Sequence, residues 1–315
     1  MSSKKQNSRS TTYQSYHYGS QSANPNYQAN NRPNMVPKAK RKKGFFIWLI
    51  VIVLAAFVGH TIWANHVAAH ERAIEIQDAK IKAEHIAEFT STTQSIINNN
   101  PQIDFDVSVV DLSNNKQTHF GEDSPMDVAS VGKIITAVYF MKQVEAGNEK
   151  LSETINGSTA QYELQQMIVV SDDDAWGALN SELGYQGLQS YANSLGISDY
   201  SAVNNTLTSG DIAEVLTKLY EGKLLDQTDT QLILGYMKQA NYRGYIVPAV
   251  PSSDTIYHKI GLLNDIVNDA AIITNGKQSF VLVIFTNGNG VYNWPARAVD
   301  MQQIATSAIN AYLGN

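Results

Sequence analysis

Residues 44–64, GFFIWLIVIVLAAFVGHTIWA, contain no Asp, Glu, Lys or Arg. An uncharged apolar run of about 20 residues is what a helix needs to cross a bilayer core. The chain is therefore read as carrying one transmembrane anchor. The block KAKRKK stands immediately before it, and basic flanks stay on the cytoplasmic side, so the N-terminus is expected inside and everything from about residue 65 outside. A cleaved signal peptide is the rival reading, with VAA at 67–69 as its small-residue cleavage site. The apolar run is longer than a signal core and the leader is long, which favours an uncleaved anchor. On either reading the body is exported.

Charge divides the chain at the same place. Nine of the 23 Lys and Arg fall in residues 1–43, which hold no Asp or Glu, leaving fourteen basic against 29 acidic groups in the remainder. An acidic body argues against nucleic acid as a ligand, because phosphate binding needs clustered Lys and Arg. The tail, residues 1–43, is rich in Ser, Asn, Gln and Tyr with almost no aliphatics, a composition that reads as disordered. Residues 65–89 are good helix formers with Val67, Ile74 and Ile81 at heptad spacing but polar residues between. They are expected to form a helical stalk. His66 and His70 sit at i, i+4 without an evident third ligand and read as exposed stalk residues. No metal or other cofactor is expected. With no cysteine in the chain, disulfides and thiol nucleophiles are excluded.

Residues 90–315 read as one domain. A short helix near 90–98 is followed by the alternating, β-rich IDFDVSVVDL (103–112) and by KQTHFG (116–121), a hairpin closed by SNN. Helical patterns then dominate from 130 to about 240, including a capping-box spacing at Thr208 and Asp211. Three strand-like runs return at 255–263, 267–276 and 279–288, and a helix over about 294–312 closes the chain. Two early strands and three late ones predict one antiparallel five-stranded sheet built from both ends of the domain. Terminal helices would cover it, and a helical lobe would be inserted, giving an α/β class. A site would fall between sheet and lobe.

In MDVASVGKIITAVYFMKQ (126–143), Ser130 precedes Lys133 by three residues where a polar loop becomes an apolar helical run. At a helix start the two would share a face. The helix N-terminus disfavours a protonated lysine, and partial burial would lower its pKa further, making it a proton acceptor for the serine hydroxyl. The competing explanation is a serine N-cap followed by a surface lysine. The pattern alone does not decide, since it recurs at Ser2/Lys5 and Ser113/Lys116.

Two further stretches add context. MIVVSDDDAWGALNSELG (167–184) sets Ser-Asp-Asp at a helix entrance, and IYHKIGLLNDIVNDAAIITNG (256–276) sets Lys-x-Gly on a strand. With ASVGK, these resemble in order the Ser-x-x-Lys, Ser-Asp-Asn and Lys-Thr-Gly signatures of penicillin-recognising serine acyl transferases, most closely class A β-lactamases. The resemblance covers roughly residues 90–315. It implies that Ser130 is the nucleophile, that Lys133 activates it, that Ser171 relays a proton to the leaving amine, and that Lys259 holds Ser171 and a substrate carboxylate. It also implies an oxyanion hole from the N–H groups of Ser130 and Leu262, with Gly261 bare so that substrate can approach the strand edge.

Three departures shape the functional expectation. Asp173 stands where the family has Asn and, ionised, accepts hydrogen bonds without donating to a substrate carbonyl. Ile260 replaces a Thr or Ser, removing a hydroxyl from carboxylate binding. The segment LGISDYSAVNNTLTSGD (195–211) lacks the Glu that drives deacylation in class A enzymes, and Asp199 is its only acid before the helix cap. Acylation of Ser130 by a β-lactam or a peptidoglycan stem peptide is thus expected, with slow deacylation suited to a D-Ala-D-Ala carboxypeptidase. A non-catalytic wall-binding or signalling protein on the same fold stays open. Arg243 is either a substitute carboxylate ligand or a surface residue, and Trp176 either lines the cleft or belongs to the core.

Overall fold

The computed structural model describes residues 43–314. The tail read as disordered and the KAKRKK block lie outside the described residues, apart from the backbone of Lys43. The chain divides between Asn65 and His66 into two units. Helix α1 (Lys43–Asn99) supplies all described residues of the first. Its large apolar side chains, Phe45 through Trp63, are exposed, and with an 18-residue window of mean hydropathy 2.5 it is long and apolar enough to cross a membrane.

In the second unit α1 passes residues 89–90 without the break the sequence reading drew there. No Gly or Pro occurs from His60 to Asn99 to stop it, and it ends at Asn100-Pro101. Lys82 Nζ donates to Asp111 Oδ2 at 2.9 Å, and His85 Nδ1 to the Asn310 carbonyl at 3.1 Å. The wholly buried Phe89 meets the rings of Phe120 and Tyr312 edge-on.

The sheet consists of β1 (Asp104–Asp111), β2 (Lys116–Gly121), β3 (Thr255–Leu263), β4 (Ile266–Thr274) and β5 (Ser279–Asn287). Its spatial order is β2-β1-β5-β4-β3 with every pairing antiparallel, so the first strand lies against the last, as the sequence predicts. Alternation sends successive side chains to opposite faces, and both faces are covered. Phe105, Val107, Val109, Leu282 and Ile284 enter a core with Phe89 of α1 and Met301 and Ile304 of α8 (Trp294–Leu313). Val110, Val281, Val283 and Phe285 enter a second core shared with the helical lobe.

That lobe comprises α2 (Lys133–Glu145), α3 (Ala160–Val169), α4 (Asp173–Leu183), α5 (Tyr185–Ser194), α6 (Ser209–Tyr220) and α7 (Gln227–Lys238). Helix α6 carries the expected capping box between Thr208 and Asp211. The edge strand β3 lies beside a 3₁₀ turn, Ala129–Gly132, that leads into α2. Sheet edge, turn and lobe meet there.

Candidate active site

Ser130 sits within that 3₁₀ turn, one turn ahead of the α-helix, which begins at Lys133 and not at Ser130. Its hydroxyl caps no backbone N–H. Instead it accepts from Lys133 Nζ at 2.9 Å. Ala129, just before it, holds φ +48°, a left-handed conformation that a non-glycine residue adopts only when its surroundings compel it. Those surroundings are visible. The Ala129 N–H donates to Asp127 Oδ1 at 2.8 Å, and its carbonyl accepts from Asn205 Nδ2 at 2.8 Å. Asn268 Nδ2 in turn holds the Asp127 carbonyl from β4 at 3.1 Å.

Ser171 and Asp173 come from the junction of α3 and α4. Asp172 caps α4 by accepting from the Ala175 N–H at 2.9 Å, which places Asp173 in the first turn. Ser171 is a second non-glycine residue in the left-handed region, at φ +63°. This turn aims both its carbonyl and its hydroxyl at Lys133 Nζ, at 2.8 and 3.4 Å. Asp173 Oδ1 accepts from the same ammonium at 2.5 Å. Lys259, reaching from β3, donates to Ser171 Oγ at 2.8 Å and to the Ile260 carbonyl at 3.0 Å. Four side chains read from separate motifs thus form one network: Ser130, Lys133, Ser171 and Lys259.

Both lysines are buried, Lys133 completely and Lys259 to 1% exposure. Burial disfavours the ammonium form and pushes both pKa values down. For Lys133 the carboxylates of Asp173 and Asp172 oppose the shift. For Lys259 burial, reinforced by the charge of Lys133, brings the value to about 7 against the opposing pull of Asp269 and Asp173. An indole face adds to the cradle, since Lys133 Nζ lies 5.1 Å from the Trp176 ring centroid.

Above the network opens a cleft of about 390 Å³, walled by Ser130, Asp173, Trp176, Asn205 and Leu262 among others. The remaining sequence expectations divide here. Leu262 and Trp176 line the cleft. Ile260 is 3% exposed and does not. For Gly261 the structure gives another reason for the missing side chain: a Cβ there would lie 2.4 Å from the Val128 carbonyl oxygen and 3.1 Å from the Ser130 nitrogen. Its bareness accommodates the turn carrying Ser130. Arg243 is an exposed residue whose recorded bond is to its own neighbourhood, the Lys238 carbonyl, and it does not line the cleft. Asp199 does not either.

Sequence reasoning missed Asn205. Besides holding Ala129, its carbonyl accepts from the Val128 N–H at 3.1 Å, and its own φ is +54°. An Asn-Asn pair in a loop is a signal for that conformation, though not for its partner. Also missed was the bridge under the cleft floor, where Trp176 Nε1 donates to Thr136 Oγ1 at 2.9 Å and Thr136 donates to Asn180 Oδ1 at 2.8 Å.

Solved structures similar to this chain include a β-lactamase from Xanthomonas campestris (18% identity, 70% of this chain and 96% of that one, TM-score 0.66). Another is a β-lactamase from Sphaerobacter thermophilus (19%, 71% and 96%, TM-score 0.66). A third is a point variant of PBP-A held as its acyl-enzyme with penicillin G (20%, 71% and 96%, TM-score 0.65). At these identities the likeness shows the fold. No curated protein sequence matches. The model of the beta-lactamase enzyme family matches residues 88–312, a span containing the whole sheet, the lobe and the four-residue network, and the chain belongs to that family.

Proposed function

We propose that this chain is a membrane-anchored serine acyl hydrolase, acylated at Ser130 by a β-lactam or a cell-wall peptide amide outside the cytoplasmic membrane. The observation that carries the reading is the single ammonium of Lys133 within hydrogen-bond reach of Ser130 Oγ, Ser171 and Asp173. Neutral Lys133 takes the Ser130 proton as Oγ bonds to the amide carbon, with the oxyanion held by the N–H groups of Ser130 and Leu262. Collapse breaks the C–N bond, and the proton reaches the leaving nitrogen through the Ser171 hydroxyl, which Lys259 orients. The proton balance is one removed from Ser130 and one delivered to the amine.

Deacylation needs a base for water. Residues 195–208 bring no carboxylate to the cleft wall, and of its carboxylates, Asp127 holds the Ala129 N–H while Asp173 is ion-paired through one oxygen with Lys133, which weakens it as a base. The acyl-enzyme is therefore long-lived, suiting a D-Ala-D-Ala carboxypeptidase-like role better than rapid β-lactam turnover. The apolar part of α1 anchors the chain with its N-terminus inside.

The test incubates the full chain in detergent micelles, and its Ser130→Ala variant, with penicillin G and follows intact mass. A penicillin-sized adduct on the wild type alone, persisting over hours, is the expected result. No adduct, together with no cleavage of acyl-D-Ala-D-Ala peptides, would replace this reading with a wall-binding module. Protease accessibility in sealed vesicles tests the orientation.

A further inference from the structure

Asp173 is the departure from the family pattern that reaches the reacting centre, and its two oxygens have different surroundings. Oδ1 accepts from Lys133 at 2.5 Å, the bond an asparagine oxygen could equally accept. No hydrogen bond to Oδ2 is recorded among the described residues, and the side chain is 84% exposed toward the cleft it lines. Where an amide NH₂ would donate to a substrate carbonyl, this chain presents an acceptor with charge. Asp127 also lines the cleft, and no Lys or Arg does. The two lysines beneath it are buried and already bonded to Ser130, Ser171 and the Ile260 carbonyl.

We infer that the cleft selects acyl donors bearing an ammonium group one amide away from the reacting carbonyl, and that the free oxygen of Asp173 is the specificity determinant that reads it. This rests on Ser130 being the acylated nucleophile as proposed above. A neutral acyl side chain would set its carbonyl against the carboxylate, whereas an ammonium pairs with it. Trp176, Tyr185 and Val203, which line the same cleft, suit an apolar or aromatic group attached beside that cation. Pairing the substrate cation with Asp173 also draws the carboxylate's field away from Lys133, which aids the loss of its proton. An occupied cleft thereby favours the base form that attack requires.

Penicillin G and ampicillin make a matched pair, identical except for an amino group on the side-chain α-carbon of ampicillin. At pH 6.5 that amine is an ammonium. The full chain in detergent and its Asp173→Asn variant are compared by second-order rate constants for adduct formation at Ser130. Because the substitution alters Lys133 in the empty cleft for both drugs alike, the ratio of the two constants reports what the substrate ammonium adds, by pairing with Asp173 and through Lys133 together. The wild type is expected to favour ampicillin by about two- to fivefold, the scale of one exposed ion pair. This preference should shrink in high salt and vanish or invert in Asp173→Asn. A wild-type ratio near one, or a ratio that Asp173→Asn leaves unchanged, would overturn the inference while leaving the acyl hydrolase intact. If neither penicillin reacts, the same ratio is measured on the p-nitrophenyl esters of phenylacetylglycine and phenylglycylglycine, which carry the same two side chains. Equal rates there would sink the inference, and no reaction with any of the four would sink the hydrolase reading and the inference together.

Discussion

Lys259→Met separates the two things Lys259 does in this site. The ammonium is 1% exposed and its pKa lies at about 7, against the usual 10.5, because burial penalises its charge and Lys133 repels it. Below pH 7 folded and unfolded chains both hold the proton, so the native state bears the whole cost of the buried charge. Between about 7 and 10.5 the unfolded chain binds a proton that the folded chain does not, and stability rises with pH by up to about 1.4 kcal/mol per unit. From pH 6 to pH 9 this lysine alone is therefore expected to add roughly 2–3 kcal/mol. Methionine has similar length and no charge, and it forfeits the bonds to Ser171 and the Ile260 carbonyl, each worth about 1 kcal/mol. The variant should be more stable than wild type at pH 6 by about 2–3 kcal/mol, with the gap closing by pH 9. Urea unfolding of the full chain in detergent at pH 6, 7, 8 and 9 measures this, and groups common to both proteins cancel in the difference. Parallel stability curves for the two proteins would refute the argument. Acylation should meanwhile slow, since Ser171 loses the donor that orients it, giving a variant that is stabler and less active.

Gly261→Ala places a Cβ against backbone atoms of Val128 and Ser130, which cannot swing aside. About 1–3 kcal/mol of stability and roughly a hundredfold in acylation rate should be lost through displacement of the serine turn; a variant that acylates at the wild-type rate would contradict this packing. Gly235→Ala in α7 serves as its control, because nothing lies within 4 Å of the added carbon, and should gain about 0.5–1 kcal/mol. Thr136→Val removes the hydroxyl joining Trp176 to Asn180 and leaves both polar groups unpaired. The expected cost is about 1–3 kcal/mol, with a shift in tryptophan fluorescence, and an unchanged unfolding midpoint would dismiss the bridge.

What could be read from the sequence was what neighbouring residues specify. Period-two alternation in 103–112 and the apolar runs at 267–276 and 279–288 fix strands whose faces are both buried. Thr208 and Asp211 fix a helix start three residues apart in sequence. The order of Ser130, Ser171 and Lys259 along the chain was equally plain, but their convergence depends on residues with no local signature. Ala129 is left-handed because Asn205, 76 positions away, grips its carbonyl. The strand of Gly261 was legible, while the turn packed on it was not. Arg243 stayed open between a carboxylate ligand and a surface residue, since loop composition gives no direction. Continuity of α1 through residues 89–90 was missed because a change of amphipathic register resembles a boundary when the partners that bury Phe89 are out of sight.

The two lysines also explain each other. Lys133 has a carboxylate at hydrogen-bond distance, whereas the recorded partners of Lys259 are neutral oxygens. As pH rises, the group without a counter-ion is the one that gains most by shedding its proton. Neutral Lys259 can then accept from the Ser171 hydroxyl, reversing the direction of that bond, and Lys133, next to lose its proton, becomes the base that attack by Ser130 requires. Ser171 is held between an amine that can take a proton and an ammonium that can give one, the arrangement a relay needs. Asparagine at position 173 would remove a charge that holds the pKa values of both lysines up, acting on Lys133 through a direct hydrogen bond as well. Asp173 thereby bears on the charge of both buried lysines as well as on the chemistry of the cleft wall.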